Sequence, residues 1–402
     1  MIVKQQPPVV FAVGYSVRAL VEAFWYAGFE CVAVDHFGDA DTLEFANDRW
    51  IQFQLSDRGL LSSDAVNAIQ TAVTEFKRAR KNAVFLLSGG MENLGGAVEQ
   101  LRDIAPVIGP TEEQRRALRD IEFLHGAALV AGIQTPQLQY GEVSHSGWLW
   151  KPHSSAGGLK IVRSEFAAAD SDPGYWQKFI RGEQIGVSCV IDPSRCQIIG
   201  ATSSFDSAEW SGPSEFVYRG SIGPIALSAE CQTQIEGMCD QIRASIGFFG
   251  WLQFDFIRDD RGALWLLECN PRWTAGMEIF LFARSVNPVR ELLNINYLNN
   301  SIRIEDQIGK FACFAKAIVY ATTSINLTDD LIAKLEQIES LADRPHAPQL
   351  IERGHPIATV RVGLKCDQAS QVEAENRTRL LEELRERASR LEACLFTNTL
   401  RK

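Results

Sequence analysis

The sequence predicts an α/β chain, α+β overall, on three observations. Near the N-terminus an apolar β-branched run, a helical stretch and a second apolar run succeed one another as a βαβ unit. In the second half, two aromatic and aliphatic runs joined by an Asp-rich turn ending in Gly read as a β-hairpin. Towards the C-terminus, two further apolar runs precede a long, charged, amphipathic helix.

Residues 9–13 form a strand ending at Gly14; Ser16 caps the helix SVRALVEAFWYAG, which stops at Gly28; CVAVD is the next strand. The turn GYSVR has a single Gly and lacks the G-x-G-x-x-G fingerprint, so a dinucleotide site finds little support. Asp35, at the end of the second strand, either meets a ribose or simply terminates the strand. A helix from Leu60 leads into the strand AVFLL, which runs into SGGMEN and then Gly95 and Gly96. Gly-rich loops at strand C-termini are where open α/β sheets bind ligands, which makes Glu92 and Asn93 substrate-side candidates. The plainer reading is a turn in which Asn93 caps the following helix.

After APVIGP the pattern changes, and a domain boundary falls near residue 109. A helix capped by Thr111 continues through a second helical stretch to about Ala131 and is closed by GIQTP. In GWLWKPHSSAGGLKIV a strand ends at Lys151 and another resumes at Ile161. Between them, Ser154, Ser155, Ala156, Gly157 and Gly158 offer backbone N–H groups and two hydroxyls as an anion cradle, with the Lys151 charge aimed at it. The alternative is an ordinary hairpin. In YWQKFIRGEQIGVSCVID a break at Arg181 and Gly182 separates two strands. It either presents backbone groups of Lys178 and Ile180 to a flat ring or is a sheet hinge.

The hairpin of WLQFDFI and ALWLLEC carries the acids. Asp255 and Glu268 lie thirteen positions apart, and folding about Asp260 and Gly262 sets them almost opposite, with Asn270 on the same face. Oxygen-only ligands suit Mg²⁺, with Mn²⁺ as the substitute, and imply a nucleotide. The competing reading pairs a strand acid with Arg258 or Arg272. Further on, FACFAKAIVYA and PIATVRVG read as buried strands, and Lys316 in the first needs a partner or an active-site contact. The final helix is structural or packs in a homodimer.

With 402 residues, 46% hydrophobic and 22% charged, the chain can bury a large core in two to four domains. A net charge of −10 and a pI near 5.3 argue against a nucleic-acid partner, which requires a basic face. Nine Cys without a CxxC pair fit reduced thiols better than a disulfide framework or a zinc site. The N-terminus lacks a signal-peptide core, and no apolar run approaches the ~20 residues of a membrane span. The expectation is a cytoplasmic protein with no membrane partner.

The ordered set of Lys151 with its small-residue loop, K-F-I-x-G-E from Lys178 to Glu183, Asp255 on a strand, and E-x-N-P-R from Glu268 to Arg272 resembles the ATP-grasp superfamily over roughly 109–320. The resemblance implies an ATP-grasp fold behind a Rossmann-like domain. Residues 1–108 would be that domain, 109–182 the small lid region, 183–320 the catalytic subdomain and 321–402 a C-terminal extension. It further implies that Lys151 binds the α- and β-phosphates, the 154–158 loop closes over them, the backbone of Lys178, Phe179 and Ile180 reads adenine, and Glu183 or Gln184 holds the ribose. Asp255, Glu268 and Asn270 would hold magnesium, and Arg272 would stabilise charge in catalysis; Trp273 stacks on a substrate or lies in the core. The chain departs from the family at two places: Gln184 stands where relatives often have Glu, and RDIEF, with Arg119, stands where many have Asp-Lys. The stretches GYSVRALVEAFWYAGFECVAVDHFGDAD, NPRWTAGMEIF, and KAIVYA with ADRPHAPQLIERGHPIATV resemble most the predicted carboligases associated with one-carbon cofactor pathways using tetrahydromethanopterin or methanofuran. The implied activity is ATP- and Mg²⁺-dependent joining of a small carboxylate and an amine through an acyl phosphate, with an amino acid such as glutamate added to a one-carbon cofactor precursor. The alternatives are a carboligase activating bicarbonate or carbamate, and an ATP-binding regulatory module without turnover.

Overall fold

A computed structural model describes residues 7–141, 143, 146–153, 157–165, 173–283, 286–296, 310–365 and 374–396. The first domain is a parallel sheet of β1 (Val9–Val13), β2 (Cys31–Asp35), β3 (Trp50–Gln52), β4 (Ala83–Leu87) and β5 (Val107–Ile108), in the order β3-β2-β1-β4-β5. Every residue of β1, β2 and β4 is buried, because helices α1 (Arg18–Tyr26), α2 (Ala40–Phe45), α3 (Ser63–Arg78) and α4 (Gly95–Arg102) leave the central strands no solvated face. Strand order reverses between β1 and β4, which opens a crevice at their C-terminal ends; the loop after β4 carries Glu92 and Asn93.

Two expected caps are made otherwise. Val17, not Ser16, is the N-cap of α1, and the carboxylate of Asp35 accepts from Val17 N (3.4 Å), Gly38 N (2.9 Å) and Trp50 Nε1 (2.7 Å). Fully buried and so engaged, Asp35 ends the strand and braces the next turn, which removes it as a ribose ligand. Leu94, not Asn93, is the N-cap of α4.

Helices α5 (Glu112–Arg119), opened by a Thr111–Gln114 capping box, and α6 (Ile121–Val130), capped by Asp120, follow. The lid is an antiparallel sheet of β6 (Leu138–Gln139), β7 (Trp148–Pro152), β8 (Val162–Arg163) and β9 (Gly174–Lys178), ordered β6-β9-β7-β8. The rest comprises β10 (Glu183–Ile191), β11 (Cys196–Ser204), β12 (Gly220–Ile225), α7 (Ala229–Ile246), β13 (Gly250–Arg258), β14 (Leu264–Asn270), α8 (Met277–Ala283) and α9 (Pro288–Asn296). These are followed by β15 (Cys313–Tyr320), β16 (Ile325–Leu327), α10 (Asp329–Leu335), β17 (Leu341–Ala342), β18 (Gln349–Ile351), β19 (Pro356–Leu364) and α11 (Ala374–Phe396). Eight of these strands make one antiparallel sheet, β14-β13-β10-β11-β12-β15-β19-β17.

Two apolar layers hold this sheet. Ile185, Val187, Phe254 and Leu266 pack against Leu118 of α5, Leu124 of α6 and Ile235 and Ile242 of α7, so α5 and α6 belong with the large sheet rather than with the lid. On the other face, Trp251 and Phe314 pack with Phe280 of α8, Leu292 of α9 and Phe24 of α1, which seats the first domain. β19 pairs with β15 throughout, so the expected boundary at 320 cuts a continuous sheet. Leu380, Leu384 and Leu391 of α11 are fully buried with β15 and β19, so the apolar face of α11 is used within its own chain and is not open to a dimer partner. Lys316 on β15 finds its partner in Glu278 on α8, which also takes Arg18 Nη1 (2.5 Å) and Arg361 Nη1 (3.1 Å). No helix among the described residues is long and apolar enough to cross a membrane.

Candidate active site

The hairpin forms as its residues dictate. Asp259 closes the turn, its Oδ1 accepting from Arg261 N (2.9 Å) and Ala263 N (3.0 Å) and its Oδ2 from Trp265 Nε1 (3.0 Å). Asp255 then stands directly across from Glu268, and Gln253 across from Asn270. The register shifts between Asp255 and Phe256, the kind of irregularity that re-aims side chains beside functional sites. Asn270 Nδ2 donates to Asp255 Oδ2 (3.0 Å) and Glu268 Oε1 (3.4 Å), so the three predicted ligands converge on one face. The competing ion pairs are absent: Arg258 Nη2 goes to Glu183 Oε2 (2.5 Å) and Arg272 goes to Glu92.

Two facing carboxylates without a cation between them cannot both ionise freely. Burial, and then the charge of Glu268, push Asp255 up to about 8. Burial works in the same direction on Glu268, but the charges of Lys151 and Arg119 bring it below its ordinary value. Lys151, buried on β7, is lowered by its burial against the pull of Glu268 and Asp255. An all-oxygen donor set of two carboxylates and a carboxamide fits a hard divalent ion, whose charge would let both carboxylates ionise.

Lys151 and Glu268 line one cleft between the lid and β14, with Leu118, Arg119 and Tyr175. Arg119, whose part in phosphate binding the sequence left open, stands in that cleft at the end of α5. Its Nη2 donates to His153 O (2.8 Å) and to Asn93 Oδ1 (3.2 Å). Arg272 meets Glu92 through two bonds of 2.6 Å, from Nε to Oε2 and from Nη2 to Oε1, and its Nη2 also reaches Asn270 Oδ1 (3.2 Å). Burial would raise Glu92, but Arg272 holds it below the usual carboxylate range. The bidentate pair therefore ties the loop after β4 to Asn270, one of the three expected ligands.

Ser154, Ser155 and Ala156 lie outside the described residues. Gly157 O accepts from Tyr218 N (3.0 Å). Gly158 has φ +77°, and a Cβ there would lie 1.8 Å from Phe216 O, so no other residue fits. Arg163 grips Glu215 with Nε and Nη2 and lies 4.5 Å above the Phe179 ring and 5.6 Å from that of Phe216. The lid thus rests on residues 215–218, between β11 and β12. Nothing in the sequence marked that landing segment.

At the linker, Lys178 N donates to Gln137 O (2.9 Å) and Phe179 N to Gly147 O (3.0 Å); among the described residues no backbone partner meets Ile180 N–H. Gly182 is required because a Cβ would lie 2.3 Å from Arg258 O. Glu183 is occupied by Arg258, whereas Gln184 is exposed on the strand face that bears Asp255. Trp273 is only 2% exposed and packs edge-on against Trp251 at 5.5 Å, so it is core and its expected substrate stacking is corrected.

Residues 125–276 match a protein family described as an ATP-grasp domain. No curated protein matches the chain by sequence. Among solved structures, a carboxyaminoimidazole ribonucleotide synthase from Aspergillus clavatus, complexed with ATP, superposes with a TM-score of 0.66 at 11% identity, covering 96% of this chain and 99% of that one. An L-amino acid ligase from Bacillus licheniformis gives 0.64 at 12% identity, covering 95% and 98%. A biotin carboxylase from Campylobacter jejuni gives 0.59 at 14%, covering 90% and 88%. The chain has the ATP-grasp fold behind a parallel-sheet domain.

Proposed function

We propose that the chain is an ATP- and Mg²⁺-dependent ligase that joins a carboxylate to an amine through an acyl phosphate. The reading is carried by the convergence of Asp255, Glu268 and Asn270 on one face, with Glu268 lining a cleft shared with Lys151 and Arg119. A carboxylate is a poor electrophile because oxide would have to leave. ATP, when bound, supplies the phosphoryl group that makes it an acyl phosphate, with phosphate as the leaving group when the amine attacks.

The protein's own residues do the positioning. Asp255, Glu268 and Asn270 would hold the magnesium; Lys151 and Arg119 face the phosphates as fixed positive charge; the backbone at Lys178 to Ile180 reads adenine. Gln184 is the ribose ligand, because Glu183 is already taken by Arg258. Arg272, oriented by Glu92, stabilises the charge that develops on the transferring group. The 154–158 loop excludes the water that would hydrolyse the acyl phosphate.

On the three stretches that resemble one-carbon cofactor carboligases, the amine is an amino acid such as glutamate and the acceptor a precursor of such a cofactor. A second reading, activation of bicarbonate or carbamate, is favoured by the similarity to carboxyaminoimidazole ribonucleotide synthases and biotin carboxylases along most of the chain. ADP and phosphate release, measured with Mg²⁺ over a panel of amino acids, acids and bicarbonate, separates the two. Amine-dependent release supports the ligase and bicarbonate-dependent release the carboligase. ATP binding with no turnover under any condition overturns both and leaves a regulatory module. In the productive case, Asp255→Asn lowers turnover on the order of 10²-fold or more.

A further inference from the structure

On the sheet face opposite the carboxylates, three thiols meet. Cys189 of β10, Cys196 at the start of β11 and Cys239 of α7 place their sulfur atoms within 4.8 Å of one another. Alternation along β10 fixes the side: Ser188 pairs with Gln253 on the Asp255 face, and Cys189 with Leu252 on the α7 face. The cluster is therefore separated from the candidate active site by the thickness of the sheet.

We propose that Cys189, Cys196 and Cys239 form a binding site for a thiophilic d¹⁰ metal ion, zinc(II) or copper(I). Three sulfur donors and no nitrogen or carboxylate oxygen in the group select soft ions over the hard magnesium of the other face. Copper(I) is satisfied by three thiolates. Zinc takes a fourth ligand, which here is water entering beside Cys196. Cys189 and Cys239 are fully buried while Cys196 is partly exposed, which gives the ion an entry path at one corner of a dry site.

The donors stand on regular elements held together before any ion arrives. Asp192 closes the turn between β10 and β11, its Oδ1 accepting from Ser194 N (2.6 Å) and Arg195 N (2.9 Å), and Arg243, one helical turn beyond Cys239, donates to Pro193 O (2.9 Å). Binding exchanges the thiol protons for the ion and involves no change of oxidation state. The spacing 189, 196, 239 matches no zinc-finger pattern, which is why the linear sequence argued against a zinc site; the fold assembles it from the β10–β11 hairpin and the distant helix α7.

The test uses reduced, metal-stripped, full-length protein titrated separately with Zn²⁺ and Cu⁺ against a competing chromophoric chelator, and with Co²⁺ as an optical probe. The expected result is one ion retained per chain and a thiolate-to-cobalt charge-transfer band, both lost in C196S and C239A and kept in C394S, with ATP turnover unaffected in C196S. Retention of Zn²⁺ assigns the water-completed site and retention of Cu⁺ alone the three-sulfur site. If C239A does not fold, C196S at the exposed corner still decides the matter. Failure of wild type to hold either ion, retention that persists in C196S, or a disulfide between two of these cysteines in protein isolated with its thiols trapped overturns the proposal.

Discussion

Glu92 shows how one residue can join two roles. Its carboxylate is almost fully buried against a guanidinium that also touches Asn270, so removing it leaves Arg272 a buried charge without its main partner. Glu92→Ala is expected to cost about 3 kcal/mol in urea unfolding and to lower turnover through the misplaced Arg272; an unchanged midpoint would refute the pairing. The sequence drew attention to both residues but not to their bond, because a contact between positions 92 and 272 belongs to no local pattern. His125 gives a pH dependence. Burial, and then the Lys151 charge, push its imidazole down to about 4 in the fold, whereas in the unfolded chain it titrates near its ordinary value of about 6.5. The unfolded state therefore binds more protons between about pH 6.5 and 4, and stability falls as the medium is acidified through that window. The loss is about 2 kcal/mol once solvent screening at the neighbouring cleft is allowed for. Melting temperatures of wild type and His125→Asn should run parallel above about pH 7, and wild type should lose stability relative to the variant as the pH falls from about 6.5 towards 4.

Among the elements, the hairpin β13–β14 was the most legible: alternating aromatics, an Asp-rich turn and two acids at matched distances determine its register locally. The lid was half legible. Its Gly-rich loop was visible, but its landing segment at 215–218 lies in an irregular stretch whose position depends on strands far apart in sequence. Gly158→Ala tests that contact. A Cβ cannot coexist with Phe216 O at 1.8 Å, so the lid must lift, or accept strain of about 1–3 kcal/mol. ATP binding should weaken about tenfold, and phosphate release should exceed amide formation as water enters. Equal coupling in wild type and variant would show that closure does not use this contact. The caps of α1 and α4 were misread for a related reason: an isolated Ser or Asn beside a helix signals a cap only when no distant carboxylate or guanidinium competes for the same groups.

At the scale of the whole molecule, the first domain, the eight-stranded sheet and the C-terminal segment are locked by one buried charge network. Glu278 is fully buried and bonded to Arg18, Lys316 and Arg361, and these cations hold it well below the usual carboxylate range despite its burial. Glu278→Ala strands positive charge in the interior and should cost about 4 kcal/mol, read as a lower midpoint in denaturant for the entire chain; a separate early transition for the first domain alone would count against the lock. Overall class and parallel first domain were readable from apolar periodicity. The division of the second half was not, since strand pairing beyond β14 leaves no mark in composition. The pairing of β15 with β19 has a practical consequence. A protein cut after residue 320 would end on a raw strand whose amides and carbonyls have lost their neighbour, and such an edge recruits whatever strand it meets, most readily that of another copy. The shortened chain should therefore be recovered as aggregates or strand-exchanged oligomers rather than as a smaller enzyme.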